Sequence, residues 1–205
     1  ETAPAFHLLA VECVADENAR LLPRTGLPDD AFVHDGQMTK REVRIQTLAA
    51  LDPRRGALLW DLGSGCGSVA IEWMRAAHHS LAIGVERSSA RRDMAAKNAL
   101  KLGAPLFKQI DANVAEAIDN MPDPDAIFIG GGLDFSLAEQ AVQRLSKHGR
   151  LVANAVTLES ECTLAALHEK YGGQLIHLAV SRAIEVGAKR GWKSSMPVTQ
   201  WIYVK

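Results

Sequence analysis

The sequence contains little of what several classes of protein require. It has three cysteines, Cys13, Cys66 and Cys162, with no CxxC pair, which argues against a disulfide framework or a zinc site and favours a reduced, cytoplasmic protein. Its charges nearly balance, with 23 Lys and Arg against 24 Asp and Glu, whereas nucleic-acid-binding domains normally carry an excess of cations. No apolar run approaches the ~18 residues that a membrane span needs. We therefore expect no membrane segment, no resident metal and no nucleic-acid partner.

The apolar residues that are present suffice for one ordinary domain. The chain has 205 residues, 47% of them apolar and 5% aromatic, and a chain of this size buries about 70% of the surface that its unfolded form exposes. Residues 6–14 have the apolar character of a strand, and Pro23 then begins a stretch that is typical of a linker. Because the chain starts without Met, we expect residues 1–25 to be the tail of an upstream domain with its linker, and residues 26–205 to form the domain itself.

From Thr39 onward, apolar segments alternate with helical patterns. Thr39 and Glu42 have the spacing of a capping box, at the start of a helix that should end near Asp52. Strands are predicted at residues 57–61, 81–86, 106–110, 125–129 and 150–156. Helices are predicted at residues 68–77, 88–102, 114–118, 135–145 and 161–171. Near-continuous apolar strands separated by helices predict a parallel sheet that is covered on both faces.

The C-terminal part breaks this alternation. Residues 174–182 and 198–204 have the character of strands, and the loop over residues 184–197 between them has no helical pattern. We expect these two strands to be antiparallel. A parallel sheet that is closed by an antiparallel C-terminal strand favours the Rossmann-like fold of class I S-adenosylmethionine methyltransferases over a plain dinucleotide-binding fold. The expected fold is a doubly wound, mostly parallel α/β sheet of seven strands.

A glycine-rich loop joins the first predicted strand to its helix. Residues 61–68 read DLGSGCGS, and glycines at such a place let the backbone turn tightly beside a ligand. The spacing is GxGxG, with Ser68 where a dinucleotide motif has its third glycine. Glu86 ends the next strand about 20 residues later, where a carboxylate can accept hydrogen bonds from both ribose hydroxyls. The loop favours a nucleoside ligand, with NAD and a purely structural turn as weaker alternatives.

Two further strand ends carry candidate ligand contacts. Asp111 and Ala112 follow the third strand, where this fold usually binds the adenine ring, although Asp111 also suits a helix N-cap. Gly130, Gly131 and Gly132 follow the fourth strand, at the edge where open α/β sheets bind ligands, and they leave room for a bulky substrate. No Asn/Asp-Pro-Pro-Tyr motif is present, which argues against N-methylation of a base in DNA or RNA.

Together, five segments of the chain resemble the decarboxylating precorrin C15-methyltransferases of cobalamin biosynthesis. They are residues 36–44 (GQMTKREVR), 61–68, 127–131 (IFIGG), 154–159 (NAVTLE) and 197–201 (PVTQW). The resemblance covers about residues 26–205. It implies methylation at C15 of a precorrin with loss of CO2 from the C12 acetate on ring C. It also implies an upstream C5-methyltransferase domain in the full-length protein, and a homotetramer.

The resemblance implies most of the cofactor contacts as well. By this analogy, S-adenosylmethionine contacts Thr39, Gly63, Ser64, Gly65, Cys66, Gly67, Glu86 and Ala112. The strand-end positions add Asp111 and Gly130 to this set. Glu86 stands where relatives often have Asp, so a carboxylate is retained. Cys66 has a nucleophilic side chain, but a cysteine at a helix start is more often a small packing residue.

A precorrin carries many carboxylates, so its site should present cations. The candidates are Arg44, near the glycine loop, Arg182, at the end of the strand predicted at residues 174–182, and Lys189, Arg190 and Lys193, in the loop that follows. Loop cations are often simply solvated. The other candidate substrate contacts are Gly131, Gly132 and Asn154, the last of which also suits a helix cap. No Ser/His/Asp or Cys/His set can be placed on one site, so no general acid or base is assigned. Methylation of another small molecule or of RNA stays open as the alternative.

Overall fold

The computed structural model describes residues 6–17 and 22–205, and a seven-stranded sheet forms its centre. The strands are β1 (Leu58–Leu62), β2 (Leu81–Val85), β3 (Lys108–Ile110), β4 (Ala126–Ile129), β5 (Arg150–Ala155), β6 (Gln174–Leu178), β7 (Ser181–Val186), β8 (Lys189–Ser194) and β9 (Val198–Val204). The sheet order is β3-β2-β1-β4-β5-β9-β6. Strands β1 to β5 are parallel, and β9 runs antiparallel to both of its neighbours. This topology confirms the predicted fold class.

Helices cover both faces of the sheet. They are α1 (Arg41–Leu51), α2 (Ser68–Ala76), α3 (Ser89–Lys101), α4 (Val114–Ala117), α5 (Phe135–Arg144) and α6 (Leu158–Tyr171), with short 3-10 helices at Asp29–Ala31 and Ile118–Asn120. Leu59 and Trp60 are both fully buried but belong to different apolar clusters, since successive side chains of a strand point to opposite faces. Helices α1 to α3 pack on the Leu59 side and α4 to α6 on the Trp60 side. Burial on both faces explains why the central strands β1, β2, β4 and β5 are largely apolar.

Helix α1 begins differently from the capping-box prediction, which is wrong. Its N-cap is Lys40, and no side chain caps it. The Thr39 carbonyl oxygen accepts a hydrogen bond from Nη1 of Arg44 at 2.5 Å, and the Glu42 carboxylate is bound by Arg182. Because Arg182, which is distant in sequence, binds the Glu42 carboxylate, a tertiary contact takes the place of the expected local one.

The N-terminal segment also differs from its prediction. Residues 6–14 form no strand, and their large apolar side chains are exposed, Phe6 by 97%. A strand needs a hydrogen-bonding partner, and none of the described strands pairs with this segment. The predicted tail over residues 1–25 lies partly outside the described residues, because 1–5 and 18–21 are not among them. Within the described ranges, no helix has the length and apolar character to cross a membrane.

The predicted loop over residues 184–197 is instead largely a β-hairpin. Strands β7 and β8 pair antiparallel, and Gly187, with φ of +59°, lies in the two-residue turn between them. All six residues of β7 are exposed, so the hairpin has no buried face. An apolar/polar alternation arises only where one face of a strand is buried, which is why the pattern gave no strand signal here.

Candidate cofactor and substrate site

The glycine loop after β1 has a conformation that glycine adopts most easily. Gly63, Gly65 and Gly67 have φ of +76°, +54° and +79°, in the left-handed region that other side chains disfavour. A Cβ on Gly67 would lie 2.9 Å from the Phe107 ring, whereas one on Gly65 would meet only the Gln37 carbonyl oxygen, at 3.8 Å. The loop therefore packs tightly at Gly67 and leaves space at Gly65.

Asp61, near the end of β1, has a buried carboxylate oxygen without a partner. Its Oδ2 accepts a hydrogen bond from the Ala70 N–H at 3.1 Å, while Oδ1 has no partner among the described residues. The pKa of Asp61 is raised to about 7, chiefly because burial disfavours the charged form; the Ala70 bond opposes this shift and the nearby Glu86 adds to it. The Ser64 hydroxyl is likewise buried and without a described partner. Such atoms beside a glycine loop fit a ligand that brings its own donors and acceptors.

Glu86 follows β2, as predicted for the residue that binds a ribose. Its Oε2 accepts a hydrogen bond from the Gly65 N–H at 3.1 Å, and its Oε1 accepts one from the Ser88 N–H at 2.9 Å. These bonds hold the carboxylate against the glycine loop. Each of its oxygens has a further lone pair, so Glu86 can accept hydrogen bonds from two ribose hydroxyls as well.

Asp111 and Ala112 follow β3. The alternative in which Asp111 caps a helix is wrong, because the N-cap of α4 is Asn113. The Asp111 side chain is 68% exposed, and its Oδ2 accepts a hydrogen bond from Nη2 of Arg92 at 2.6 Å. Its carboxylate is therefore fixed at the strand end and still accessible to a ligand.

A cavity of about 740 Å³ extends from the glycine loop to the base of the β7–β8 hairpin. Residues 36–40 form part of its wall, together with the ends of β4 and β5. Of the predicted site residues, its walls include Thr39, Gly63, Ser64, Gly65, Cys66, Gly130, Gly131, Asn154 and Arg182. They do not include Gly67, Glu86, Asp111, Ala112, Gly132, Lys189, Arg190 or Lys193. The predicted residues thus divide between this cavity and positions outside it.

Some wall residues were missed by the sequence analysis as individual contacts. They are Gln37, Lys40, Glu42 and Arg91. The first three lie within the motif over residues 36–44, which was the available signal. Arg91 lies on α3, in a helical pattern without a recognisable motif, so nothing local distinguished it from a surface arginine.

The glycines after β4 differ in what surrounds them. A Cβ on Gly130 would lie 2.7 Å from the Phe128 ring, so this position requires glycine for close packing. A Cβ on Gly131 would meet nothing within 4 Å. Gly131 therefore leaves open space in the cavity wall, as expected for a bulky substrate.

Asn154, at the end of β5, is held by a buried polar network. Its Oδ1 accepts a hydrogen bond from Nε2 of Gln200 at 2.7 Å, and its Nδ2 donates to Oγ1 of Thr47 at 3.2 Å. Gln200 also donates to Thr47, at 3.0 Å, and both residues are fully buried. The helix that follows is capped by Thr157, not by Asn154. The amide is therefore fixed at the cavity wall by residues behind it.

Arg44 does not lie where the sequence analysis placed it. Its side chain is fully buried and forms ion pairs with Glu72 and Asp29, at 2.6 Å and 3.1 Å. It also donates hydrogen bonds to the Leu27 and Thr39 carbonyl oxygens. Since its guanidinium has partners within the fold and no exposed surface, we withdraw Arg44 as a substrate contact.

Cys66 is buried in the glycine loop, with 3% of its surface exposed. Burial is the main cause that raises the pKa of its thiol, and this disfavours the nucleophilic thiolate. Its carbonyl oxygen accepts a hydrogen bond from Nδ2 of Asn98 at 3.0 Å. These observations favour a packing role for Cys66.

Comparison with known proteins agrees with this geometry. Residues 30–205 match the family model described as a precorrin methyltransferase domain. The chain is 47% identical over 202 residues to a Sinorhizobium precorrin-6Y C(5,15)-methyltransferase [decarboxylating], a match that covers 98% of this chain and 49% of the relative. It is 32% identical over 186 residues to a probable cobalt-precorrin-6B C(15)-methyltransferase (decarboxylating) of Pyrobaculum calidifontis, covering 87% of this chain and 93% of that one.

A solved structure shows the same fold. The C-terminal domain of precorrin-6Y C5,15-methyltransferase from Rhodobacter capsulatus superposes with a TM-score of 0.84 at 42% identity, over 90% of this chain and 100% of that chain. The chain spans about half the length of the first curated relatives that it matches. These matches leave no support for the NAD alternative. The chain belongs to the precorrin methyltransferase domain family, with the fold of class I methyltransferases and S-adenosylmethionine as methyl donor.

Proposed function

We propose that this chain methylates C15 of a precorrin and removes the carboxyl group of its C12 acetate. The observation that carries the proposal is the cavity of about 740 Å³ that extends from the glycine loop to the base of the hairpin. A methyl donor at the loop and a large substrate at the hairpin then share one space, as methyl transfer requires. The names of the relatives support the same reaction.

The residues around the glycine loop would hold the cofactor. S-adenosylmethionine supplies an electrophilic methyl group on a sulfonium. Glu86 would accept hydrogen bonds from the ribose, and the unpartnered Oδ1 of Asp61 would accept one from an ammonium group. Gly65 leaves the space that a ligand needs beside the backbone. Thr39, in the cavity wall, and Asp111, after β3, belong to the proposed set as well.

The substrate would lie across the end of β4 and the hairpin base. Gly131 leaves room for the macrocycle, Asn154 offers a fixed amide, and Arg182 offers a cation for a carboxylate. Lys189, Arg190, Lys193 and Gly132 remain weaker proposals because they lie outside the cavity walls. Loss of CO2 breaks the bond between the acetate methylene and its carboxyl carbon, and the ring imines accept the electron pair. The chain would contribute mainly by orienting the reactants, which can lower a barrier by roughly 7 to 11 kcal/mol.

The ring C acetate should have no cation of its own. An arginine that gripped this carboxylate would stabilise the ground state and oppose the loss of CO2. The burial of Arg44 removes one such cation from the site. This is consistent with a cleft that binds other carboxylates of the substrate at its rim.

We also propose a homotetramer, a cytoplasmic location and an upstream C5-methyltransferase domain. The exposed apolar side chains Ile184, Val186 and Trp192 of the hairpin support association with other copies. The odd number of cysteines supports a reducing compartment. The length of the curated relatives supports a further domain. Light scattering of the wild type and of Trp192→Ser tests the association.

Mass spectrometry of the tetrapyrrole product tests the proposed reaction. The chain is incubated with precorrin-6B, with and without S-adenosylmethionine. We expect the gain of one methyl and the loss of one CO2 only when both reactants are present. A methyl gained with the acetate retained would place decarboxylation elsewhere. An unchanged tetrapyrrole, with S-adenosylhomocysteine still bound by the chain, would favour methylation of another small molecule or of RNA.

A further inference from the structure

Residues 33–40, here called the strap, lie beside the glycine loop. Residues 36–40 of the strap line the cavity together with Gly63 and Gly65. The Gln37 carbonyl oxygen lies 3.8 Å from the position of a Cβ on Gly65. A ligand in the glycine loop would therefore lie next to the strap.

Buried side chains fix both ends of the strap. At one end, Oδ1 of the buried Asn98 accepts a hydrogen bond from the Val33 N–H at 2.7 Å, and its Nδ2 donates to the Val33 carbonyl oxygen at 2.9 Å. The same Nδ2 donates to the Cys66 carbonyl oxygen, in the glycine loop. At the other end, the buried Arg44 donates to the Thr39 carbonyl oxygen. Moving either end would leave buried polar groups without partners, which is costly.

The middle of the strap is held from α3 by Arg91. Nε of Arg91 donates to Oδ2 of Asp35 at 2.9 Å, and its Nη2 donates to Oε1 of Gln37 at 2.5 Å. The Asp35 carboxylate also accepts a hydrogen bond from the Gln37 N–H at 3.0 Å. Gly36 lies between these two residues with φ of +95°, and a Cβ on it would meet nothing within 4 Å. Arg91 thus binds the two residues that flank Gly36 in the strap.

The contacts of the middle are weaker than those of the ends. The Arg91 and Asp35 side chains are 30% and 32% exposed, and ion pairs with this much exposure contribute little, because water and salt screen them. Because hydrogen bonds of buried side chains hold the ends of the strap and partly exposed contacts hold its middle, we expect the strap to open at its middle. Lys40 adds one exposed hydrogen bond to the Gly36 carbonyl oxygen, at 3.2 Å.

We propose that Arg91 is a positioning residue that holds the strap closed over the glycine loop and so sets how long S-adenosylmethionine or S-adenosylhomocysteine stays bound. The proposal rests on the cofactor part of the proposed function and not on the precorrin. Arg91 acts through Asp35 and Gln37. Without it, the centre of the strap is open for a larger fraction of the time, and the ligand leaves faster.

Stopped-flow measurement of S-adenosylhomocysteine dissociation tests this proposal. In Arg91→Met, which keeps the length of the side chain without its charge, we expect dissociation about three- to tenfold faster, from the loss of one exposed ion pair and one hydrogen bond. Arg91→Lys should lie between this variant and the wild type, because an ammonium can bind Asp35 but cannot hold both partners as a fork. The control is Lys97→Met, which removes an exposed cation from the same helix and should not change the rate.

A double-mutant cycle tests whether Arg91 acts through its contact with Asp35 or through a general effect on folding. Asp35→Asn should also speed dissociation, and adding Arg91→Met to it should have less effect than in the wild type. Hydrogen exchange of residues 34–38 with the ligand bound should be faster in both single variants. Unchanged dissociation in Asp35→Asn and Arg91→Met would overturn the inference, as would effects that simply add. Failure of the wild type to bind S-adenosylhomocysteine would instead count against the proposed function.

Discussion

Nε of Arg44 donates a hydrogen bond to Oε1 of Glu72 at 2.6 Å, in an ion pair whose two side chains are both fully buried. Glu72 also accepts hydrogen bonds from the N–H groups of Gly26 and Leu27, at 2.5 Å and 3.0 Å. The pair joins α1, α2 and the segment that enters the domain, and Arg44 extends this linkage to the strap. A buried, charged network thus connects α1 and α2 to the strap that lines the cavity.

Removing one member of this pair should destabilise the fold strongly. We expect Arg44→Met to lower the free energy of unfolding by about 3–5 kcal/mol, because it leaves the Glu72 charge buried without its main partner. Urea denaturation measures this change. The control is Arg54→Met: Arg54 pairs with Asp52 but is 58% exposed, so the expected change is below about 1 kcal/mol. Equal losses in the two variants would contradict the structural role of Arg44.

Gly63→Ala should weaken cofactor binding more than it weakens the fold. Gly63 and Gly56 have the same φ, +76°, so alanine should impose a similar backbone strain at either position. A Cβ on Gly63 would lie 3.1 Å from the Gly131 carbonyl oxygen, whereas one on Gly56 would meet nothing within 4 Å. We expect calorimetry to show about tenfold weaker S-adenosylhomocysteine binding, roughly 1.4 kcal/mol, for Gly63→Ala and wild-type affinity for Gly56→Ala. Equal affinities would count against the loop as the ligand site.

Asp61 should make the stability of the unliganded chain depend on pH. Its pKa is raised from 3.8 to about 7, mainly by burial, so the folded state keeps a proton that the unfolded state has released. Its contribution to stability is therefore greatest at low pH, falls as the pH rises between the two values, and is constant above the folded pKa. Asp61→Asn should remove this fall. Denaturation curves at about pH 5 and pH 8 measure it; the same decrease in both proteins would show that Asp61 is not its cause.

Arg182 and Arg190 should differ in their effect on substrate binding. Arg182 lines the cavity and forms ion pairs with Glu42 and, at 3.7 Å, with Asp29, whereas Arg190 lies on β8 outside the cavity walls. We expect Arg182→Met to raise KM for the precorrin about fivefold, in the range of a partly exposed ion pair, without changing S-adenosylhomocysteine affinity. Arg190→Met should change neither value. A larger effect from Arg190 would place the substrate along the hairpin instead.

The spacing of apolar residues along the chain made the strands and helices of the central sheet predictable. Strands β1, β2, β4 and β5 are largely apolar because both of their faces are buried, and that pattern is visible in the chain itself. The hairpin was missed because its exposed strands have no such pattern. The capping box at Thr39 was misleading because a distant arginine, Arg182, binds Glu42.

The sequence by itself determined the order of elements in the seven-stranded sheet, the glycine loop and the acid that follows the second strand, because each depends on neighbouring residues and on the period of one element. The tertiary structure decided which partners each arginine side chain contacts. Arg44, the last residue of the motif over residues 36–44, is buried in an ion pair, while Arg91, in an ordinary helix, reaches the strap. The spacing along a chain fixes the side of a helix on which an arginine lies, but only the packing of that helix against other segments determines whether its charge meets a buried carboxylate, a neighbouring loop or a ligand.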